Sequence, residues 1–128
     1  MILDSSAIVA IALDEPERTD FLTRIDAADL VAVAAPTLLE AGIVLSARIG
    51  GDATDILDAL IAAADAVIIE FGAAHWREAL RAWSRFGRGR HEASLNFGDC
   101  IAYAAARVAG QALLIKGHDF SKTDLELA

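Results

Sequence analysis

Short, wholly apolar runs alternate along this chain with longer stretches whose apolar residues recur at helical spacing. The runs at 1–3, 30–34, 66–69 and 112–115 have the length and composition of strands buried on both faces. Between them the period changes to that of helices. Pro16 suits a first helical turn, followed by an apolar stripe of Phe21, Leu22 and Ile25. Pro36 opens a second pattern that reaches Ile49 and stops at Gly50-Gly51. Residues 53–64 form another. Gly72 begins a helix in which Trp76, Leu80 and Trp83 share one face, expected to be core, while Arg77, Arg81 and Arg85 run along the neighbouring face. Gly87-Arg88-Gly89-Arg90 breaks that pattern, and Asn96 is placed to cap a last long helix to about Val108, ended by Gly110. Strands alternating with helices, joined by right-handed crossovers, predict an α/β fold with a central parallel sheet flanked by helices on both faces.

The chain has 128 residues and is 55% hydrophobic, which suits one domain over 1–128 burying roughly two-thirds of its unfolded surface. Charged residues and glycines interrupt every apolar stretch before the roughly 18 residues that a membrane span needs, and the first residues lack the basic start of a signal peptide. A soluble, cytoplasmic protein with no membrane partner is expected. Cys100 is the sole cysteine, so neither an internal disulfide nor a thiolate metal cluster is available, and it is expected to be a small core residue.

Net charge is −8, unfavourable for nonspecific attraction to nucleic acid. The basic residues are nevertheless clustered. Arg77, Arg81, Arg85, Arg88 and Arg90 make up five of the eleven, whereas residues 1–70 hold thirteen of the nineteen acids. A local basic ridge that contacts an RNA backbone is one reading of this; a solvated helix face is the other.

Four acids stand against apolar sequence: Asp4 after the first strand, Glu40 within Leu38-Leu39-Glu40-Ala41, Asp99 in Asn96-Phe97-Gly98-Asp99, and Asp119 after the last strand. In a parallel sheet, ligands gather beyond the carboxyl ends of strands, where all four fall. Two carboxylates about 4 Å apart repel by roughly 4 kcal/mol at an effective dielectric of 20, enough to retain a proton or recruit a cation. Hard oxygen donors favour Mg²⁺ or Mn²⁺. Each acid also has an ordinary explanation. Asp4 before Ser5-Ser6 can cap a helix, Asp99 can form a capping box with Asn96, and Asp119 can stabilise a turn. Glu40 is the hardest to explain away, because a buried carboxylate needs a partner.

Ile2-Leu3-Asp4-Ser5-Ser6-Ala7, the helical Glu40, Leu95-Asn96-Phe97-Gly98-Asp99-Cys100 and Lys116-Gly117-His118-Asp119-Phe120 together resemble a PIN-domain ribonuclease, and more narrowly the VapC toxins of bacterial toxin-antitoxin pairs. The resemblance spans the chain. It implies an endoribonuclease dependent on Mg²⁺ or Mn²⁺, with Asp4, Glu40 and Asp99 matching the family's acids, Ser6 its small hydroxyl residue, and Asn96 the polar position before Gly-Asp. Many relatives carry the fourth acid where Gly117 stands here, which leaves Asp119 as the substitute. It further implies an RNA substrate, a homodimer, and inhibition by a cognate VapB-type antitoxin in a hetero-oligomer, the antitoxin tail covering an apolar groove.

Other classes are separable. A receiver-like signalling domain needs a phosphoacceptor Asp after the middle strand, where Glu70 and Gly72 stand. An aspartyl-nucleophile phosphatase needs a second Asp where Ser6 is. Metal-free cleavage would require His75, His91 or His118 to pair, although they lie on different segments. A nonenzymatic RNA-binding or protein-interaction module predicts no cleavage at all.

Overall fold

The computed structural model describes residues 1–128. Strand β1 (Ile2–Leu3) lies between β2 (Ala32–Ala34) and β4 (Leu113–Leu114), and β3 (Val67–Ile69) completes the sheet in the order β3-β2-β1-β4. All pairings are parallel, with Ile2 beside Ala32 and Leu113, and Ala32 to Ala34 beside Val67 to Ile69. Because side chains alternate across a strand, β1, β2 and β4 each feed two cores. Ile2, Ala32, Ala34 and Leu113 pack on one side with α5 (Ala73–Phe86) and α6 (Phe97–Ala109). Leu3, Val33 and Leu114 pack on the other, against α1 (Ser5–Ala12), α2 (Arg18–Asp26), α3 (Ala35–Ile49) and α4 (Thr54–Ala63). The parallel α/β sandwich expected from the pattern is the observed fold, and the strand runs lie within a residue or two of their expected ends. No helix is long and apolar enough to cross a membrane.

Local signals explain the boundaries that orient the site. Asn96 and Asp99 exchange hydrogen bonds, Asn96 Oδ1 accepting from Asp99 N and Asp99 Oδ2 from Asn96 N, each at 2.9 Å. This capping box begins α6. Gly50 and Gly110 terminate α3 and α6 with left-handed φ of 73° and 62°. Pro16 precedes α2 in a turn instead of occupying its first helical position, and Glu17 is the cap. Cys100 is buried.

Two burial expectations fail. Val67 and Ile68 of β3 are exposed, although β4 at the opposite edge of the sheet is buried. Trp76, Leu80 and Trp83 are also exposed. The side of α5 that packs inward is Ala79, Ala82 and Phe86, which meets Ala102, Ala105 and Ala106 of α6. Alanines on both helices allow close approach, so the bulkier stripe is turned outward. Periodicity identifies a stripe but does not say which of two apolar stripes has a partner.

Candidate active site

Four segments bring their acids to one edge of the sheet. Asp4 follows β1 directly and is only 7% exposed. Its Oδ2 accepts from the Ser6 backbone at 2.9 Å and from Ser6 Oγ at 2.5 Å, so Asp4 is both the N-cap of α1 and a buried carboxylate. Ser6 Oγ in turn accepts from Lys116 N at 3.0 Å, tying the end of β4 to the Asp4 side chain. Burial pushes the Asp4 carboxyl above its ordinary value, the bonds from Ser6 oppose that, and the charge of Asp119 adds to it.

Glu40 reaches the same place from α3. Its Oε1 accepts from Ser5 Oγ at 2.9 Å, and its carboxylate lies against Gly98 in the first turn of α6. A Cβ at Gly98 would fall 2.8 Å from Glu40 Cδ, so only glycine leaves this approach open. Asp99, one residue on, is half-buried, and its carboxyl is pushed up to about 6. Desolvation is the main cause, the Asn96 backbone bond opposes it, and the charges of Asp4, Asp119 and Glu40 raise it further. Those repulsions place Asp99 in the field of the other three carboxylates. Asp119 is exposed at the rim. Gly117 has φ 97°, a left-handed conformation that suits glycine.

None of the four acids forms an ion pair with Lys or Arg. Lys116, three residues before Asp119, turns its ammonium to Glu15 and, at 3.3 Å, to Glu17. Hard oxygen donors that repel one another and lack an internal cation fit a divalent ion. As they stand, no three acidic, histidine or cysteine side chains make a ready cage for a metal. Asp99 Oδ2 is engaged by Asn96 and Glu40 Oε1 by Ser5, and Mg²⁺ commonly keeps several waters in place of protein ligands.

The histidines do not meet. His75 Nδ1 accepts from Gly72 N and His91 Nδ1 from Ala93 N, both at 3.1 Å, which makes each a local brace. The arginines divide into two groups. Arg81 pairs with Glu78 at 3.0 Å and Arg85 with Asp124 at 3.1 Å. Arg77 lies over Trp76, while Arg88 and Arg90 are exposed and form no ion pair. Sequence reasoning missed Ser5 and Gly98. Their signals were a hydroxyl one residue after Asp4 and a glycine one residue before Asp99.

A family model described as "PIN domain" matches residues 1–126. Ribonuclease VapC36 of Mycobacterium tuberculosis is 42% identical over 127 residues, which cover 98% of this chain and 91% of that protein. Ribonuclease VapC of Mycolicibacterium smegmatis is 40% identical over 126 residues, covering 98% and 97%. Among solved structures, the Mycobacterium tuberculosis Sarcin-Ricin loop cleaving toxin VapC20 superposes with a TM-score of 0.78 at 18% identity, covering 99% of this chain and 97% of that one. A toxin-antitoxin complex from Klebsiella pneumoniae gives 0.72 at 14%, covering 99% and 95%. At those identities the two structures speak for the fold alone.

Proposed function

The chain belongs to the PIN-domain family, among the VapC ribonucleases, and from that footing we propose that it is a metal-dependent endoribonuclease acting as the toxin of a toxin-antitoxin pair. The observation that carries this is the set of Asp4, Glu40, Asp99 and Asp119, in which the other three charges act on Asp99 and none of the four is paired with a cationic side chain. Asp4 and Asp99 would hold Mg²⁺ or Mn²⁺, with Glu40 and Asp119 completing the oxygen set. Such an ion, when bound, makes water acidic enough to attack a phosphodiester and stabilises charge on the departing oxygen.

The remaining roles belong to the chain itself. Ser6 holds Asp4 in one rotamer by donating to Oδ2 while it accepts from Lys116 N. Asn96 fixes Asp99 through its backbone N–H, and Ser5 fixes Glu40. Each of these side chains is immobilised before substrate arrives, which lowers the reorganisation needed at the reacting centre. Gly98 keeps α6 close enough to α3 for Glu40 and Asp99 to share the site.

The partner reading has its own support. Leu38, Leu39, Ile43, Leu57 and Ile68 line an apolar groove of about 660 Å³ between α3, α4 and β3, and Leu39, Ile43 and Ile68 are exposed in it. Exposed apolar surface of that kind suits an antitoxin tail, and a homodimer would cover further surface.

The test incubates antitoxin-free protein with end-labelled structured RNAs in Mg²⁺, in Mn²⁺ and in EDTA, beside the Asp99→Asn variant. Defined cleavage that needs metal and vanishes in the variant is the expected result. Equal cleavage by the variant places the chemistry elsewhere, and no cleavage of any RNA returns the protein to the binding-module class.

A further inference from the structure

The connection between α5 and α6 carries aromatic and basic groups that the cleavage chemistry does not use. Phe97 opens α6 two residues before Asp99 and is 83% exposed, forgoing the burial that ordinarily stabilises phenylalanine. At the same end of the helix pair, the Arg90 guanidinium lies 4.1 Å from the centroid of the exposed Trp83 ring. That ring packs so closely on the backbone of Gly87 that a Cβ there would fall 2.6 Å from Trp83 Cδ1. Gly87 forms a bridge with Leu95. Hydrogen bonds from Arg88 N to Leu95 O at 3.0 Å and from Leu95 N to Phe86 O at 2.9 Å close the connection. The Trp83–Arg90 stack is thus built into a tethered loop whose far end is Leu95, two residues from Phe97. Arg88 and Arg90 have no acidic partner.

We propose that Phe97, Trp83 and Arg90 form a platform that stacks unpaired nucleobases and grips their phosphates beside the acid cluster. This rests on the ribonuclease reading and deepens it, since it specifies unpaired RNA as the preferred substrate form. Every base has a π-face, so aromatic rings hold single strands with little regard to sequence, and arginine adds both stacking and phosphate contacts. The acid cluster repels a polyanion. Arg88 and Arg90 lie on the connection that is tied to Leu95, four residues before Asp99, and free cations there offset that repulsion. A protein partner would have to bring acids to these arginines, whereas RNA offers the π-face and the negative charge together.

The test measures the affinity of labelled RNA by fluorescence anisotropy in the Asp99→Asn background, which keeps the RNA intact. A single-stranded oligonucleotide is compared with a duplex of the same length. Phe97→Ala is expected to weaken single-strand binding roughly tenfold and duplex binding less than twofold, with Phe97→Trp restoring it. Arg90→Gln should follow the same pattern. Unchanged single-strand affinity in Phe97→Ala overturns the platform, as does an equal loss for both RNAs. Loss of dimer mass in light scattering with RNA affinity intact would instead make the patch an interface between copies. Because the readout is binding, it stands apart from the cleavage assay. An RNA-binding defect in Phe97→Ala alongside a protein that cuts nothing would keep the platform and reject the nuclease.

Discussion

Helix α6 carries two carboxylate environments, one at its start and one midway, and they treat the same functional group in opposite ways. At the start, Asp99 faces Asp4, Asp119 and Glu40, and its carboxyl rises to about 6. Midway, the buried Tyr103 donates to Asp124 at 2.6 Å and Arg85 pairs with the same acid at 3.1 Å. These bonds pull Asp124 below its ordinary value, while burial, with the Asp124 bond adding to it, pushes Tyr103 up to about 12. The second cluster is satisfied internally and holds α5, α6 and the C-terminal segment together. The first is hydrogen-bonded but has no countercharge, and uncompensated charge at a sheet's carboxyl edge is what a cation-binding centre requires.

The largest expected effect comes from Asp99→Asn. Cleavage should fall on the order of 10²–10³-fold, while the metal-free melting temperature holds or rises, since one of four repelling charges is gone. A fall in both together would make Asp99 a structural cap with no further role. Gly98→Ala separates geometry from charge. The new methyl displaces the flexible end of Glu40, so cleavage should drop roughly tenfold with no loss of stability, alanine being favoured over glycine in a helix by up to about 1 kcal/mol. An Ala variant with full activity would remove Glu40 from the site.

The pH response should differ between the two clusters. Asp99 holds its proton in the folded state at pH values where the unfolded chain has lost it. Metal-free stability therefore falls as pH rises from about 4 to about 6, by about 1 kcal/mol once solvent screening of a half-exposed group is allowed for. Asp124 acts in the opposite direction: its contribution is present above its ordinary value and lost on acidification. Urea melts in EDTA at pH 4.5 and 7 check this, and Asp99→Asn should flatten the Asp99 part of the slope. Adding Mg²⁺ at pH 7 should restore stability, with the gain shrinking below pH 6 as protons compete for the carboxylates. Smallest of all, Tyr103→Phe should cost about 1 kcal/mol through the lost bond to a charged acceptor and leave cleavage rates unchanged. A catalytic defect in that variant would join the two clusters.

Much of this architecture was legible along the chain because its signals are local. The four apolar runs became the four strands, Asn96 and Gly110 bound α6 as their cap chemistry implies, and three acids stood at strand or helix boundaries in family order. Asp4 was readable as a cap and Asp99 as half of a capping box, and Asp4 does cap α1 while Asp99 closes the box with Asn96. Capping and clustering proved compatible, since one carboxylate oxygen accepts from the backbone while the group as a whole remains in the field of the others.

What lay beyond the sequence depends on which surfaces meet. The outward turn of Trp76, Leu80 and Trp83 was decided by the alanines of α6, which offered the alanine side of α5 the closer approach. The exposure of β3, when β4 at the other edge is buried, depends on what packs over each strand, which no strand encodes alone. The pairing of Arg85 with Asp124, and hence its withdrawal from the free arginines, joins residues 39 positions apart. By itself the sequence determined the elements, their caps and the supply of carboxylates, because backbone hydrogen bonding and periodicity act within a few residues. Only the tertiary structure decided which carboxylates go unpaired, because desolvation and Coulomb repulsion depend on distances set by the packing of the whole domain.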